Sequence, residues 1–376
     1  MTTLAVAAIS ARMMAEAAAQ AGFRVVALDL FGDRDTRAAI SEWLPIGAAA
    51  GLAIDPETTL RVLSLLARRG DVDGWVAGSG FEGFPDVLEQ GAATLPLIGT
   101  QAAAVRRVRD PETFFGFLDS AGVAHPQWRN APPADANDWL IKNSFGTGGW
   151  HIRRASASSE SALPEHGYFQ RRAPGAPMSA TFIANGRGAL VLGFNEMIVR
   201  RFGARPFVFC GAIGPVRLDA AVEQELSRAL QRLAAEFSLH GLGSLDFMLD
   251  GRDIALLEVN PRPSASMGLY AQALPHGLMA AHVRACLRAE LPLATAPPRA
   301  VQGHEIVFAR RHVVLDEVAA ARLSAWPFCH DLPMAGGSFD IADRRRPQGS
   351  LHRARPRADR HTRRGPPLRL RHPRSE

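Results

Sequence analysis

Lysine is nearly missing from this chain. Of 43 basic residues in 376, a single one, Lys142, is lysine and the rest are arginine. An arginine bias of this kind follows from GC-rich codons and says nothing about function. It does isolate the one ammonium group, which stands on an apolar strand directly before a glycine-rich stretch. Cysteine is equally scarce: Cys210, Cys286 and Cys329 are widely spaced and odd in number. No CxxC pair and no disulfide framework can be drawn from them, so a reducing cytoplasm is the expected compartment. The longest apolar runs fall far short of a membrane span, and the N-terminal segment, with Arg12 and Glu16 in its helix, lacks the pattern of a signal peptide. A membrane partner is therefore not expected.

The net charge of +6 misleads. Residues 344–376 hold twelve arginines against Asp359 and Glu376, so the remainder of the chain carries more acids than bases. That terminal stretch is built of Arg, Pro, His and Gly without periodicity, a mix that buries too little apolar surface to offset its ordering entropy. It reads as a disordered or out-of-frame tail. A nucleic-acid-binding arm is the competing reading, since clustered arginines neutralise phosphates; nucleic acid is nevertheless not the expected partner.

The stretch with the most chemistry is residues 243–262, GSLDFMLDGRDIALLEVNPR. Leu245, Phe247 and Leu249 alternate, Asp250-Gly251 signals a turn, and Ile254 restarts an apolar strand, so the segment reads as a β-hairpin. Antiparallel pairing would set Asp246 at the level of Glu258, and Glu258 and Asn260 leave their strand on one face. Two carboxylates and an amide oxygen make an all-oxygen set suited to Mg²⁺, completed by substrate phosphates. Arg262 could hold a phosphate oxygen with its planar fork. Asp250 and Asp253, at the turn, are expected to be merely solvated.

Earlier in the chain, Leu4–Ala7, Arg24–Asp29, Trp75–Ala77 and Leu95–Ile98 read as strands between helical stretches at 11–21 and 58–69, the pattern of a parallel α/β sheet. Gly78-Ser79-Gly80-Phe81-Glu82-Gly83 matches G-x-G-x-x-G. As a dinucleotide fingerprint it belongs on the first strand and needs an acid about twenty positions on; residues 100–109 have none. An NAD(P) oxidoreductase is thus the weaker alternative, and a βα loop facing a ligand cleft the stronger. Trp139–Lys142 forms a strand that enters Asn143–Trp150 and resumes through His151-Ile152. Such a glycine-rich hairpin can fold over phosphates with its backbone N–H groups, with Lys142 as a point charge beside it. Strands at 168–170, 179–184 and 189–194 follow. Leu218, Val222, Leu226, Leu230, Leu233 and Phe237 then recur at helical spacing, a last helix covers 276–287, and strands lie near 305–314.

A parallel α/β unit, a lysine strand with its Gly-rich hairpin, a long helix and the D…E-x-N-P-R hairpin, in that order, resemble the ATP-grasp superfamily of carboxylate–amine ligases over roughly residues 1–335. The resemblance implies an α/β and α+β chain: a Rossmann-like N-terminal domain (1–100), then a two-lobed ATP-grasp fold with a lid subdomain (101–190) and a large subdomain carrying the metal site (191–300). A C-terminal β subdomain remnant (301–343) and the tail (344–376) complete it. The implied cofactors are ATP and Mg²⁺ or Mn²⁺. Lys142 would contact the α/β phosphates, Gly146, Thr147, Gly148 and Gly149 would form the lid loop, and Gln170, Arg171 and Ala173 the linker at the adenine. Asp246, Glu258 and Asn260 would hold the metal, and Arg262 and Lys142 would act in catalysis. The segment ALDLFGDRDTR (27–37) is similar to a subgroup linked to C1-carrier biosynthesis that includes tyramine–glutamate ligase. The implied substrates are a small carboxylate and an amine, in a protein free to form homo-oligomers. Three departures stand out: Arg107, Arg109 and Pro111 occupy the region of an earlier family lysine, the linker lacks the usual acid, and the tail cuts into the C-terminal subdomain.

Overall fold

The computed structural model describes residues 2–48, 52–156, 163–293, 300–309, 313–326, 328–334, 338–339 and 350–356. The chain opens with four parallel strands, β1 Thr3–Ala7, β2 Arg24–Asp29, β3 Glu42–Pro45 and β4 Gly74–Ala77, in the order β3-β2-β1-β4. Helices α1 Arg12–Gln20, α2 Arg34–Ala38, α3 Pro56–Arg69 and α4 Pro85–Thr94 alternate with them. Local chemistry sets the helix ends. Asp55 caps α3 through the Thr58 N–H, Pro56 sits in its first turn, and Gly70 closes it in the left-handed region. One expectation needs correction here, and one strand was not foreseen. Leu95–Ile98 is no strand but a single bridge, Leu97 to Trp75, because Pro96 has no N–H to extend a ladder. Conversely Glu42–Pro45, short and only half-buried, is a strand at the sheet edge.

Helices α5 Ala102–Arg109 and α6 Pro111–Ala121 lead into a small antiparallel sheet. Its strands are β5 Trp128–Arg129, β6 Trp139–Asn143, β7 Arg153–Arg154 and β8 Gly167–Arg171, ordered β5-β8-β6-β7. The strand after the glycine-rich stretch resumes at Arg153, not at His151-Ile152 as expected. His151 and Ile152 are held in the turn, with the Ile152 N–H donating to the Gly149 carbonyl.

The large sheet has the order β13-β12-β9-β10-β11-β14-β18-β16. It comprises β9 Ala176–Asn185, β10 Ala189–Phe202, β11 Arg205–Gly214, β12 His240–Asp250, β13 Asp253–Asn260, β14 Gln302–Phe308, β16 Cys329–His330 and β18 Ser350–Pro356. Strands β15 Val313–Val314 and β17 Ser338–Phe339 pair separately. The hairpin β9–β10 therefore straddles the boundary expected at residue 190, and the small sheet ends at Arg171. Helix α7 Ala220–Glu236 buries Val222, Leu226, Leu230 and Leu233 against Phe182, Leu245 and Phe247 of the sheet. Helix α8 Leu278–Arg288 packs with α1 on a second core that joins the N-terminal sheet to the large one. Among the described residues no helix is long and apolar enough to cross a membrane.

The tail departs from its expected disorder at one place. Backbone of Ser350–Pro356 pairs antiparallel with all of β14, and Cys329-His330 pairs with it in turn. Strand pairing uses main-chain groups, which every residue of the segment but Pro356 carries in full, so composition alone did not exclude it. The remainder of 344–376 lies outside the described residues.

Candidate active site

The hairpin β12–β13 forms the floor. Its register sets Asp246 opposite Glu258 and Ser244 opposite Asn260, with Asp250 and Asp253 exposed at the turn. A bulge decides which way the acids face. Phe247 pairs with Leu256 and Asp246 with Glu258, which leaves Leu257 as the extra residue. Without it, Leu256 and Glu258 would point the same way. With it, Leu256 packs in the core beneath α7, while Leu257 and Glu258 line the cavity. Asn260, on the same strand, donates through Nδ2 to Asp246 Oδ2 at 3.1 Å and to Ser244 Oγ at 3.3 Å.

Three cations close on this floor. Lys142, 4% exposed, comes from β6 and sits 3.6 Å from Glu258 and 3.3 Å from Gln170 Oε1. Burial by itself would lower its pKa, but Tyr168 and Glu258 outweigh that and hold the ammonium above its ordinary value. Arg109, at the end of α5, also lies 3.6 Å from Glu258. Its Nε donates to the Ser144 carbonyl at 2.6 Å and its Nη2 to the Gly146 carbonyl at 2.8 Å. One guanidinium thus ties the root of the glycine-rich loop to the floor. Arg107, its neighbour in sequence, points away and pairs with Glu236. Arg262, beyond β13, donates from Nε to Glu82 Oε1 at 2.6 Å, and its Nη2 pairs with the same carboxylate and reaches Asn260 Oδ1 at 3.4 Å.

Electrostatics split the two floor carboxylates. Burial would raise Glu258, but Arg109, Lys142, His151 and Arg262 together pull it below the usual carboxylate range. Asp246 is pushed up instead, first by burial and then by Glu258 itself. Facing acids driven apart in this way favour an added cation between them, because a divalent ion would remove the repulsion that raises Asp246. Two carboxylates and the Asn260 amide fit a hard, oxygen-ligated ion such as Mg²⁺.

The glycine-rich loop lies over the cavity. Gly149 has φ +75°, and a Cβ there would overlap the Phe207 carbonyl of β11, so only glycine lets the backbone come this close. The Phe209 N–H donates to the Gly148 carbonyl at 3.0 Å. A Cβ on Gly146 would overlap the His151 ring. Burial holds that imidazole neutral at ordinary pH, pushing its pKa down to about 4.

Every site residue inferred from the sequence lines a single cavity of about 1310 Å³: Lys142, Gly146–Gly149, Gln170, Arg171, Ala173, Asp246, Glu258, Asn260 and Arg262. Arg171 borders the cavity while its side chain donates to Gln127 Oε1 at 3.3 Å. Gln170 turns inward, and its Nε2 is buried without a partner. Sequence reasoning missed Glu82 and His151, and left Arg109 undistinguished from Arg107. An acid inside a glycine-rich loop at the carboxyl end of β4 was the available signal for Glu82. That loop is no dinucleotide fingerprint: a 3₁₀ turn, Phe81–Gly83, intervenes before α4, and its acid turns inward to Arg262.

Comparison with known proteins agrees with this geometry. A family model described as ATP-grasp domain matches residues 110–266. The large chain of carbamoyl phosphate synthase from Myxococcus xanthus is 23% identical over 243 residues, 59% of this chain and 22% of that one. The arginine-specific large chain from Bacillus subtilis is 23% identical over 243 residues, 59% of this chain and 23% of that one. This chain therefore covers under a quarter of either relative. Solved structures match over nearly all of it. N5-carboxyaminoimidazole synthetase from Staphylococcus aureus, complexed with ADP, superposes with a TM-score of 0.67 at 17% identity, covering 95% of this chain and 94% of that one. L-amino acid ligase from Bacillus licheniformis gives 0.66 at 14% identity, covering 94% and 93%. The glycine-rich loop, Lys142 and the carboxylate hairpin all fall within residues 110–266, the stretch that matches the ATP-grasp domain model, and the chain shares the fold of these solved structures.

Proposed function

We propose that this protein is an ATP-dependent carboxylate–amine ligase that works through an acyl phosphate. The observation that carries the reading is the meeting of Lys142, Arg109 and Arg262 with Asp246, Glu258 and Asn260 under one glycine-rich loop. Lys142 and the loop N–H groups bind the nucleotide phosphates, and the inward amide of Gln170 meets the nucleotide from the linker strand. Asp246, Glu258 and Asn260 hold Mg²⁺, which supplies charge neutralisation for the phosphates.

A substrate carboxylate oxygen attacks the γ-phosphorus, the bond to the β-phosphate oxygen breaks, and ADP leaves. The amine nitrogen then attacks the acyl carbon; the C–N bond forms, inorganic phosphate departs, and the nitrogen loses a proton. The protein's part is position and charge. Arg262, fixed by Glu82, holds the transferred phosphoryl group, and Arg109 keeps the loop seated so that water is excluded. The finer reading, glutamate joined to a tyramine-like amine in C1-carrier biosynthesis, rests on residues 27–37 alone. The wide spacing and odd number of Cys210, Cys286 and Cys329 support a cytoplasmic enzyme. The test is ADP release from Mg-ATP in the presence of pooled amino acids and amines. Release that requires both a carboxylate and an amine supports the ligase; release that ignores both overturns it.

A further inference from the structure

The residues assigned to the nucleotide occupy one side of the cavity. They stand on β12, β13, the small sheet and the glycine-rich loop, whereas the cavity floor continues across the large sheet in the order β12-β9-β10-β11-β14. Strand β11 lies three places from β12, about 14 Å at the usual strand spacing. The cavity volume, about 1310 Å³, also exceeds the roughly 300–1,000 Å³ usual for a pocket that holds one small molecule. There is room for a second ligand beside the nucleotide.

That far part of the floor is apolar. Each of three neighbouring strands turns two alternate residues to the cavity: Met197 and Val199 from β10, Phe207 and Phe209 from β11, Ile306 and Phe308 from β14. All six are half-buried, while Val208 and Cys210, the alternate positions of β11, are fully buried. Trp150, from the glycine-rich loop, lines the same cavity and meets Phe308 edge to face, with ring centroids 5.7 Å apart. These side chains keep apolar area open where a core would seal it.

Arg205 continues the alternation 205, 207, 209 on β11 and also lines the cavity. Arginines around it are engaged: Arg200 with Glu305, Arg201 with the Gly203 carbonyl, and Arg172 with Asp138 at 3.9 Å. The Arg205 guanidinium, on a half-buried side chain, has no hydrogen bond, ion pair or ring contact among the described residues. The ladder fixes how far it stands from the metal floor. Asp246 pairs with Ser179 and Ser179 with Asn195, and Arg205 pairs with Phe202, seven residues farther along β10. At about 3.3 Å per residue the two levels are roughly 20 Å apart. An anion met by Arg205 is therefore not the anion that meets the metal.

We propose that β10, β11 and β14 carry a second binding site in this cavity, for a molecule with an apolar, aromatic body and an anionic group held by Arg205. The body lies on the six apolar side chains under Trp150. The guanidinium fork takes a carboxylate or phosphate through charge-assisted hydrogen bonds. The anion is an anchor, remote from the reacting end, so the ligand carries it in addition to its reacting group. The role of this ligand as the non-nucleotide substrate rests on the ligase reading; its binding at Arg205 does not.

The test uses the full chain and three probes, 4-phenylbutanoate, 4-phenyl-1-butanol and butanoate, titrated by ligand-observed NMR. Wild type should bind 4-phenylbutanoate at least about tenfold more tightly than either of the others. Arg205→Gln breaks no contact of the folded protein; it should fold, retain the alcohol affinity and lose the preference for the anion, and Arg205→Lys should restore part of it. Equal affinities of 4-phenylbutanoate and the alcohol in wild type overturn the site, whether or not the variants fold. So does butanoate binding as tightly as its phenyl derivative, since the apolar floor then does nothing. An undiminished preference in folded Arg205→Gln protein overturns the assignment to Arg205. A saturating nonhydrolysable Mg-ATP analogue should leave the probe bound, and its displacement would mean that the two sites are one. Failure of the analogue itself to bind wild type counts against the ligase reading and leaves the probe result standing.

Discussion

Lys142→Met removes one charge and little volume, and its consequence can be worked through. The ammonium is 4% exposed and 3.6 Å from Glu258, so its desolvation is already met by the folded protein. Arg109 remains at 3.6 Å from the same carboxylate, which itself is 23% exposed, so the free variant should fold with a small change in Tm. What is lost is a charge-assisted bond to phosphate, about 1.5–3 kcal/mol, or roughly a 10–150-fold weaker Kd for the nucleotide. Ligand-linked stabilisation turns this into a melting experiment. Wild type at about 100 times its Kd gains about 2.7 kcal/mol. A variant with about 50-fold weaker binding sits at about twice its Kd and gains only about 0.6 kcal/mol. The nucleotide-induced rise in Tm should therefore shrink by about three quarters, and calorimetric titration should return the same ratio. A folded Lys142→Met protein with an undiminished shift would show that Lys142 does not touch the phosphates, and the orientation assigned to the nucleotide would fall with it.

Other variants probe the floor, the lid and the arginine. Asp246 is raised by burial and by Glu258, so protons compete with Mg²⁺ well above the range of an ordinary Asp, about 3.9. Mg²⁺ affinity should fall as pH drops through that raised value, with proton release on binding visible in calorimetry in buffers of different ionisation heat. Because the folded state binds the extra proton, Asp246 costs stability above its folded pKa, and Asp246→Asn should melt higher than wild type at pH 8 without metal while losing Mg²⁺ binding. Gly149→Ala puts a Cβ into the Phe207 carbonyl at φ +75°; the loop should lift from β11, with nucleotide affinity down at least about tenfold, around 1.4 kcal/mol, in the same titration. Glu82→Gln leaves Arg262 buried with half its partner, and should lower stability by up to about 3–5 kcal/mol in denaturant melts. It should also lower kcat more than it raises KM for ATP, since Arg262 meets the transferred group.

Much of this was legible in one dimension. The alternation of Leu245, Phe247 and Leu249, the Asp-Gly turn and the spacing of Glu258 and Asn260 specify a hairpin with its acids paired, because strand periodicity and turn chemistry are local. The helical spacing of Val222 to Leu233 and the caps at Asp55 and Gly70 are local in the same way. Lys142 announced itself by being alone. Other features needed the folded chain. The extra residue Leu257 that turns Glu258 into the cavity depends on how β13 meets β12, and no local pattern in the apolar run at 254–257 marks it. Arg107 and Arg109 are two residues apart on one helix with like surroundings in sequence. Only the packing of α5 sends one to Glu236 and the other to Glu258. The Glu82–Arg262 pair joins residues 180 apart. Long-range contacts follow from which faces bury together, a property of the whole chain, whereas turns, caps and periodicities follow from a few neighbouring residues.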